Sequence, residues 1–129
     1  MKVNTNVRYA LRAMLEIASS ERPLLQKEIA ERHNLSNKFL DQIINSLKVK
    51  GLIKNYKGKG SGYVLAKPAD EISIFDVYTA FETIDIVECL DNEGICTLSK
   101  SCKARNFWNE YRKYIINFFK EKKITDLLT

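Results

Sequence analysis

The spacing of apolar residues in the first half of the chain is the feature that most restricts its fold. Apolar residues recur at helical intervals in three short segments, over residues 6–19, 26–33 and 37–50. Ser36, which precedes the third segment, is a residue type that commonly caps helix N-termini, and Gly51 is one that ends helices. The pattern therefore predicts three consecutive short helices.

Two short β-type segments follow, over residues 52–56 and 63–66. Between them lies a turn that contains Gly58, Gly60 and Gly62, which indicates a hairpin. Three short helices followed by a two-stranded hairpin form a winged helix-turn-helix, in which the hairpin is the wing. We predict a mainly α chain with residues 1–68 as this winged unit.

The second half, residues 69–129, contains two further helical patterns. Ser73 is the expected cap of a helix over residues 74–82, and a loop over residues 84–105 should follow. The last helix, residues 107–122, carries a wide apolar stripe formed by Phe107, Tyr111, Tyr114, Ile115, Phe118 and Phe119. A helix this apolar should pack on its own domain or pair with a second copy. Thr125 is the expected cap of a final short turn.

Charge is distributed unevenly along the chain, whose net charge is +5. Residues 1–66 hold 12 lysines and arginines against 5 carboxylates, whereas residues 67–129 hold 9 against 11. The basic half is a candidate nucleic-acid surface, although a solvated lysine-rich face has the same composition. No run of 18 apolar residues and no signal-peptide core are present, so we expect a cytoplasmic protein that does not span a membrane.

The third helix and the wing supply the residue types that bind duplex DNA. The second helix of a helix-turn-helix enters the major groove with its N-terminal residues near base edges. The expected base-facing residues are Ser36, Asn37, Lys38, Asp41, Gln42 and Asn45. Lys48, Lys54, Lys57 and Lys59 suit phosphates, while Gly58 and Gly60 let the wing backbone approach the duplex. The alternative interpretation is a solvated helix face beside a structural hairpin.

All three cysteines of the chain, Cys89, Cys96 and Cys102, lie in the predicted loop. An odd number of clustered cysteines in a cytosolic protein indicates metal or redox chemistry more than disulfides. The residues alone leave four interpretations open: an iron–sulfur cluster, a thiol redox switch, a zinc site, and inert packing. A single histidine and the absence of a catalytic triad order or paired catalytic carboxylates argue against an enzyme. A protein-interaction module is the remaining class.

Motifs along nearly the whole chain resemble the Rrf2 family of winged-helix transcription regulators, which includes an iron–sulfur cluster assembly repressor and a nitric-oxide-sensing repressor. They lie in the first helix, the helix-turn-helix, the wing and the cysteine-containing half. The matching segments are residues 8–15, 27–32, 39–42 and 57–63, together with Glu88, Cys89, Cys96, Cys102, Trp108 and residues 124–127.

The resemblance implies a homodimeric repressor, paired through the last helix, that binds a pseudo-palindromic operator. The two half-sites would lie about 34 Å apart or a multiple of that distance. Asp41 and Gln42 match the family's acidic residue and glutamine of the recognition helix, and Lys57 stands where a wing arginine enters the minor groove. Many members bind a 2Fe–2S or 4Fe–4S cluster through cysteines that match Cys89, Cys96 and Cys102.

The fourth cluster ligand is where the chain departs from the family. Arg105 replaces a ligating histidine, and Arg8 replaces an aspartate that ligates the cluster of the partner subunit. His33, at the end of the second helix, is expected to be a surface residue. Glu88, Asp91, Glu93 or an external ligand remain as candidates, so the fourth ligand is unknown.

Overall fold

The computed structural model describes residues 2–86 and 102–128. Within these two ranges the chain forms five α-helices and one two-stranded antiparallel sheet, which confirms the mainly α winged helix-turn-helix. The elements are α1 (Thr5–Ser19), α2 (Gln26–His33), α3 (Asn37–Val49), β1 (Ile53–Asn55), β2 (Tyr63–Leu65), α4 (Ile74–Thr79) and α5 (Lys103–Glu121). Two short 3₁₀ helices, Ala69–Glu71 and Ile124–Leu127, precede α4 and follow α5.

Polar side chains fix where two of these helices begin, as the sequence predicts. The backbone N–H of Phe39 donates to the hydroxyl oxygen of Ser36 at 3.1 Å, which starts α3. Ser73 and Asp76 cap α4 reciprocally, with the N–H of each donating to the side chain of the other at 3.0 and 3.1 Å. Each cap satisfies backbone donors that have no partner within the helix.

Three predicted boundaries were wrong. Helix α4 ends at Thr79 and not at residue 82, because the following N–H groups of Ala80 and Phe81 reach carbonyls only three residues back. Helix α5 begins at Lys103 and not at residue 107, because residues 103–106 carry no large apolar side chain that would extend the stripe to the start of the helix. The final turn is capped by Asp126, which accepts from the N–H of Lys123 at 2.8 Å, and not by Thr125.

The wing is joined to the helical part by a bridge that the sequence did not predict. Strands β1 and β2 pair with Lys54 opposite Val64. Leu24, in the loop before α2, adds a third strand-like position, because it exchanges two backbone hydrogen bonds with Tyr63 at 3.1 and 2.7 Å. The bridge fixes the base of the wing beside the start of α2.

One hydrophobic core joins the helix-turn-helix to the second half of the chain. Met14 of α1 and Leu40 of α3 are fully buried in it. Ile72 and Val77, beside and within α4, and Ile124 after α5 belong to the same cluster. Residues 1–68 and 69–129 therefore share one core, and the division of the chain into these two parts remains a prediction.

Helix α5 packs on the rest of the subunit with one face only. Ile115, Ile116 and Phe119 lie in a second cluster with Val7, Tyr78 and Ile84, and the rings of Tyr78 and Phe119 are 5.4 Å apart. Burial in this cluster, assisted by a hydrogen bond with Glu82, raises the pKa of Tyr78 to about 12. No helix in residues 2–86 or 102–128 has both the length and the apolarity needed to cross a membrane.

Candidate DNA-binding surface

Helix α3 presents one polar face to solvent because its other face is held in the core. Four of its apolar residues are buried, namely Leu40, Ile43, Ile44 and Leu47. Every residue predicted to face a major groove is exposed, and these are Ser36, Asn37, Lys38, Asp41, Gln42 and Asn45. The Ser36 oxygen accepts the capping hydrogen bond, which leaves its hydroxyl hydrogen and one lone pair for a ligand.

A groove runs between this face of α3 and the wing. It consists of two adjoining clefts of about 440 and about 550 Å³, which share Gln26, Lys48 and Tyr63 in their walls. Lys27 and Lys59 line the larger cleft, and Asp41 is the one acidic residue among those that line either cleft. The groove is therefore predominantly cationic, as a surface that contacts phosphates must be.

The wing tip is an ordered turn that holds its lysines away from the body of the domain. Gly58 and Gly60 both have left-handed φ angles, +118° and +85°. The Ser61 hydroxyl accepts from the N–H of Lys57 at 2.8 Å and donates to the carbonyl of Gly58 at 2.6 Å. Residues 57–60 are all exposed, as is Lys54 on β1.

Aromatic rings lie close to the ammonium groups of two lysines, Lys48 of α3 and Lys57 of the wing. The ammonium of Lys48 lies 5.8 Å from the centre of the Tyr63 ring, and that of Lys57 lies 5.3 Å from the Tyr56 ring. Contacts of this kind restrict a flexible cation without neutralising its charge. Lys48 and Lys57 are both exposed, so their ammonium groups can also contact a bound anion.

Two residues at the start of α2, Gln26 and Lys27, belong to this surface although no sequence pattern predicted them as DNA-facing. Both line the larger cleft, and Gln26 also lines the smaller one beside Asp41. The available signal was geometric, since a helix-turn-helix brings the start of its first helix close to the exposed face of the second.

Of the predicted cysteine ligands, only Cys102 lies within the described residues. It is a half-buried free thiol directly before α5, and its side chain makes no capping hydrogen bond, so the sulfur is available to a ligand. Cys89 and Cys96 lie outside the described residues, as do Glu88, Asp91 and Glu93. In the ranges that are described, no three His, Cys, Asp or Glu side chains gather into a metal-binding group.

The predicted surface position of His33 was wrong. Its side chain is only 18% exposed, and Nε2 lies 3.2 Å from a carboxylate oxygen of Glu16. Arg105, at the position of the family's ligating histidine, is half-buried in the first turn of α5. A guanidinium has no acceptor atom, so it cannot replace an imidazole as a metal ligand.

Comparison with known proteins, by sequence and by fold, also indicates a transcriptional regulator. Residues 3–129 match the sequence model of a family described as "Rrf2: Iron-dependent Transcriptional regulator". The chain is 33% identical to the HTH-type transcriptional regulator IscR of Serratia proteamaculans (strain 568), over 99% of this chain and 79% of the relative.

Two of the solved structures that share this fold are of CymR. That of CymR from B. subtilis, described as its global cysteine regulator, superposes with a TM-score of 0.77 at 29% identity, over 99% of this chain and 96% of the other. An oxidized form of Staphylococcus aureus CymR superposes with a TM-score of 0.74 at 29% identity, over 99% and 96% of the two chains. These similarities agree with a regulator and not with an enzyme.

Proposed function

Because this chain belongs to the Rrf2 family of transcriptional regulators, we propose that it is a repressor that binds an operator through α3 and the wing. One observation carries the proposal: the exposed polar face of α3 and Lys59 of the wing border a single cationic groove. Asn37, Lys38, Asp41, Gln42 and Asn45 would contact base edges, whereas Ser36 would contribute its hydroxyl.

The lysines have a different role from the α3 residues in this proposal. Lys48, Lys54, Lys57 and Lys59 would contact phosphates, and exposed Gly58 and Gly60 would let the wing backbone lie against the duplex. Phosphate contacts release counterions, so affinity should fall steeply as salt rises. A fluorescence-anisotropy titration of a labelled duplex at several salt concentrations tests this. An affinity independent of salt, or the absence of any binding in dilute buffer, would contradict it.

We also propose that the repressor is a homodimer paired through the outer face of α5. Phe107, Tyr111, Tyr114 and Phe118 are exposed on that helix, and Tyr114 is 73% exposed. Exposed aromatic residues in a row are typical of a protein–protein contact. Tyr114→Glu should convert the protein to monomer in sedimentation experiments, whereas the neighbouring exposed Lys113→Glu should not. A Tyr114→Glu dimer as stable as wild type would refute this interface.

For the cysteines we propose an iron–sulfur cluster, 2Fe–2S or 4Fe–4S, held by Cys89, Cys96 and Cys102 with a fourth ligand yet to be identified. Three thiolates suit this cofactor, and the available sulfur of Cys102 and the iron-dependent description of the family support it. When bound, the cluster supplies a ligand whose gain or loss can favour one of two states of the chain. Cys102 would anchor the loop to the start of α5, next to the proposed dimer face.

A thiol redox switch is the second candidate, because a CymR with this fold has been solved in an oxidized form. Anaerobic purification followed by a visible spectrum and iron, sulfide and zinc analysis separates the candidates. We expect a coloured protein that contains iron and sulfide, and loss of the colour in Cys96→Ala and Cys102→Ala but not in Lys103→Ala. A colourless protein that cannot be reconstituted would favour the thiol switch. Bound zinc without sulfide would indicate a zinc site in place of both the cluster and the switch.

A further inference from the structure

We propose that Gln26 is a positioning residue that sets the base preference of Asp41. The inference rests on the proposed operator binding and extends it to a residue outside the recognition helix. Gln26 is the first residue of α2, whereas Asp41 lies on the exposed face of α3.

The side-chain amide of Gln26 contacts α3 at two points. Its nitrogen donates to Oδ1 of Asp41 and to the backbone carbonyl of Asn37, the latter at 3.3 Å. Both partners are acceptors, so only the nitrogen of the amide can face them and its orientation is determined. Gln26 therefore holds the carboxylate from a neighbouring helix and is itself tied to the first residue of α3.

The hydrogen bond from Gln26 competes with contacts that the Asp41 carboxylate could make along its own helix. Lys38 and Asn45 lie three residues before and four residues after Asp41, which are the spacings at which helical side chains meet. A carboxylate that is not held by Gln26 is free to turn toward the Lys38 ammonium, which would neutralise it. The amide of Gln26 is uncharged, so it fixes the carboxylate and leaves its negative charge intact.

A held carboxylate only accepts hydrogen bonds, so it suits bases that present a donor in the major groove. Gln26 directs Oδ1 toward α2, and Oδ2 is the oxygen that remains to accept from the DNA. Cytosine presents an amino donor there, and adenine presents one beside its N7 acceptor, whereas guanine presents only acceptors, which a carboxylate repels. Asp41 should therefore prefer cytosine over guanine at one position of each half-site, and the preference should depend on Gln26.

The test begins with selection of duplexes from a randomised library by the wild-type protein. Affinities are then measured for the selected duplex and for its three variants at each base pair, using wild type, Gln26→Met, Asp41→Ala and the double variant. Wild type should prefer cytosine at one position by on the order of tenfold, a value within the usual range for one mismatched base pair. Gln26→Met, which keeps the size of the side chain but has no donor, should reduce the preference to about twofold.

The double variant separates a positioning role from a structural one. If Gln26 acts through Asp41, Gln26→Met should change no base preference further once Asp41 is alanine. Lys27→Met is the matched control, because this neighbour lines the same cleft and should lower affinity for all duplexes without changing the preference. Partial unfolding lowers all affinities by one factor, so the ratio between bases reports positioning even in a less stable variant.

Gln26→Glu provides a second variant, since its carboxylate repels that of Asp41 and should also abolish the preference. A cytosine preference that survives both Gln26 substitutions, or one that does not depend on Asp41, overturns the inference and leaves operator binding intact. Wild-type protein that binds no duplex overturns the proposed function and this inference together.

Discussion

Replacing Gly62 by alanine should destabilise the protein by detaching the wing from the loop before α2. Gly62 has a φ of +96°, which L-residues adopt only with strain. It also lies directly under the Pro23–Leu24 segment, and an added Cβ would stand 2.9 Å from Cβ of Pro23 and 3.1 Å from its carbonyl carbon. The second of these contacts is with backbone, so it cannot be relieved by rotating a side chain.

The expected loss is the sum of two effects. The left-handed conformation costs about 1–2 kcal/mol for a residue with a Cβ. Forcing a methyl group into a close contact costs about 1–3 kcal/mol more. For a chain of this length about 1 kcal/mol lowers Tm by roughly 4 °C, so Gly62→Ala should lower Tm by about 8–20 °C.

Gly60→Ala is the matched control, because Gly60 has a similar φ of +85° and nothing within 4 Å of its added Cβ. It should lose only the conformational part, about 4–8 °C in Tm. Calorimetry of both variants and wild type at one protein concentration gives the comparison. Equal stability of the two variants would refute the argument that Gly62 is required by the close approach of Pro23 and Leu24.

Three further predictions concern charge and capping. Lys59→Gln should lower duplex affinity uniformly across sequences and reduce the magnitude of the salt slope by about 1 per subunit, as measured by anisotropy; an unchanged slope would remove Lys59 from the phosphate contacts. Glu28 has its pKa lowered to about 2 by hydrogen bonds from Arg22 and from the N–H of Leu25, so its stabilising contribution is present above about pH 4.5 and is lost as pH falls toward 2. Acid unfolding of Glu28→Gln should accordingly be less steep than that of wild type between those values, and parallel curves would contradict the assignment. Ser73→Ala should lower the free energy of unfolding by about 1 kcal/mol through loss of the α4 cap, and urea denaturation with no change would show that Asp76 alone suffices.

The fold was largely predictable because its signals are local. Helical spacing with Ser36 and Ser73 as caps placed α1 to α4 to within a few residues, and the glycines placed the wing. The bridge to the wing was missed because distant parts of the chain meet there, and Leu24 pairs with Tyr63 across a sequence separation that no local pattern reports. The cap of the final turn was a local error, since Asp126 accepts from Lys123, three residues before it.

The candidate surface was predicted less completely than the fold. The predicted DNA-facing residues of α3 and the wing follow from the order of helices and hairpin in the sequence. All of these residues are exposed, as contact with DNA requires. Gln26 and Lys27 reach the groove only because α2 packs beside α3, a property of tertiary geometry. The expected exposure of His33 failed for the same reason, since Glu16 of α1 lies against it in the folded chain.

The central claim is that duplex DNA lies against the exposed face of α3 and the tip of the wing. Amide hydrogen exchange of the purified protein, measured with and without a selected duplex in dilute buffer, tests it directly. Exchange should be slower over residues 36–48 and 56–62, with α5 unchanged. Protection confined to α5, or no protection anywhere in α3, would contradict it.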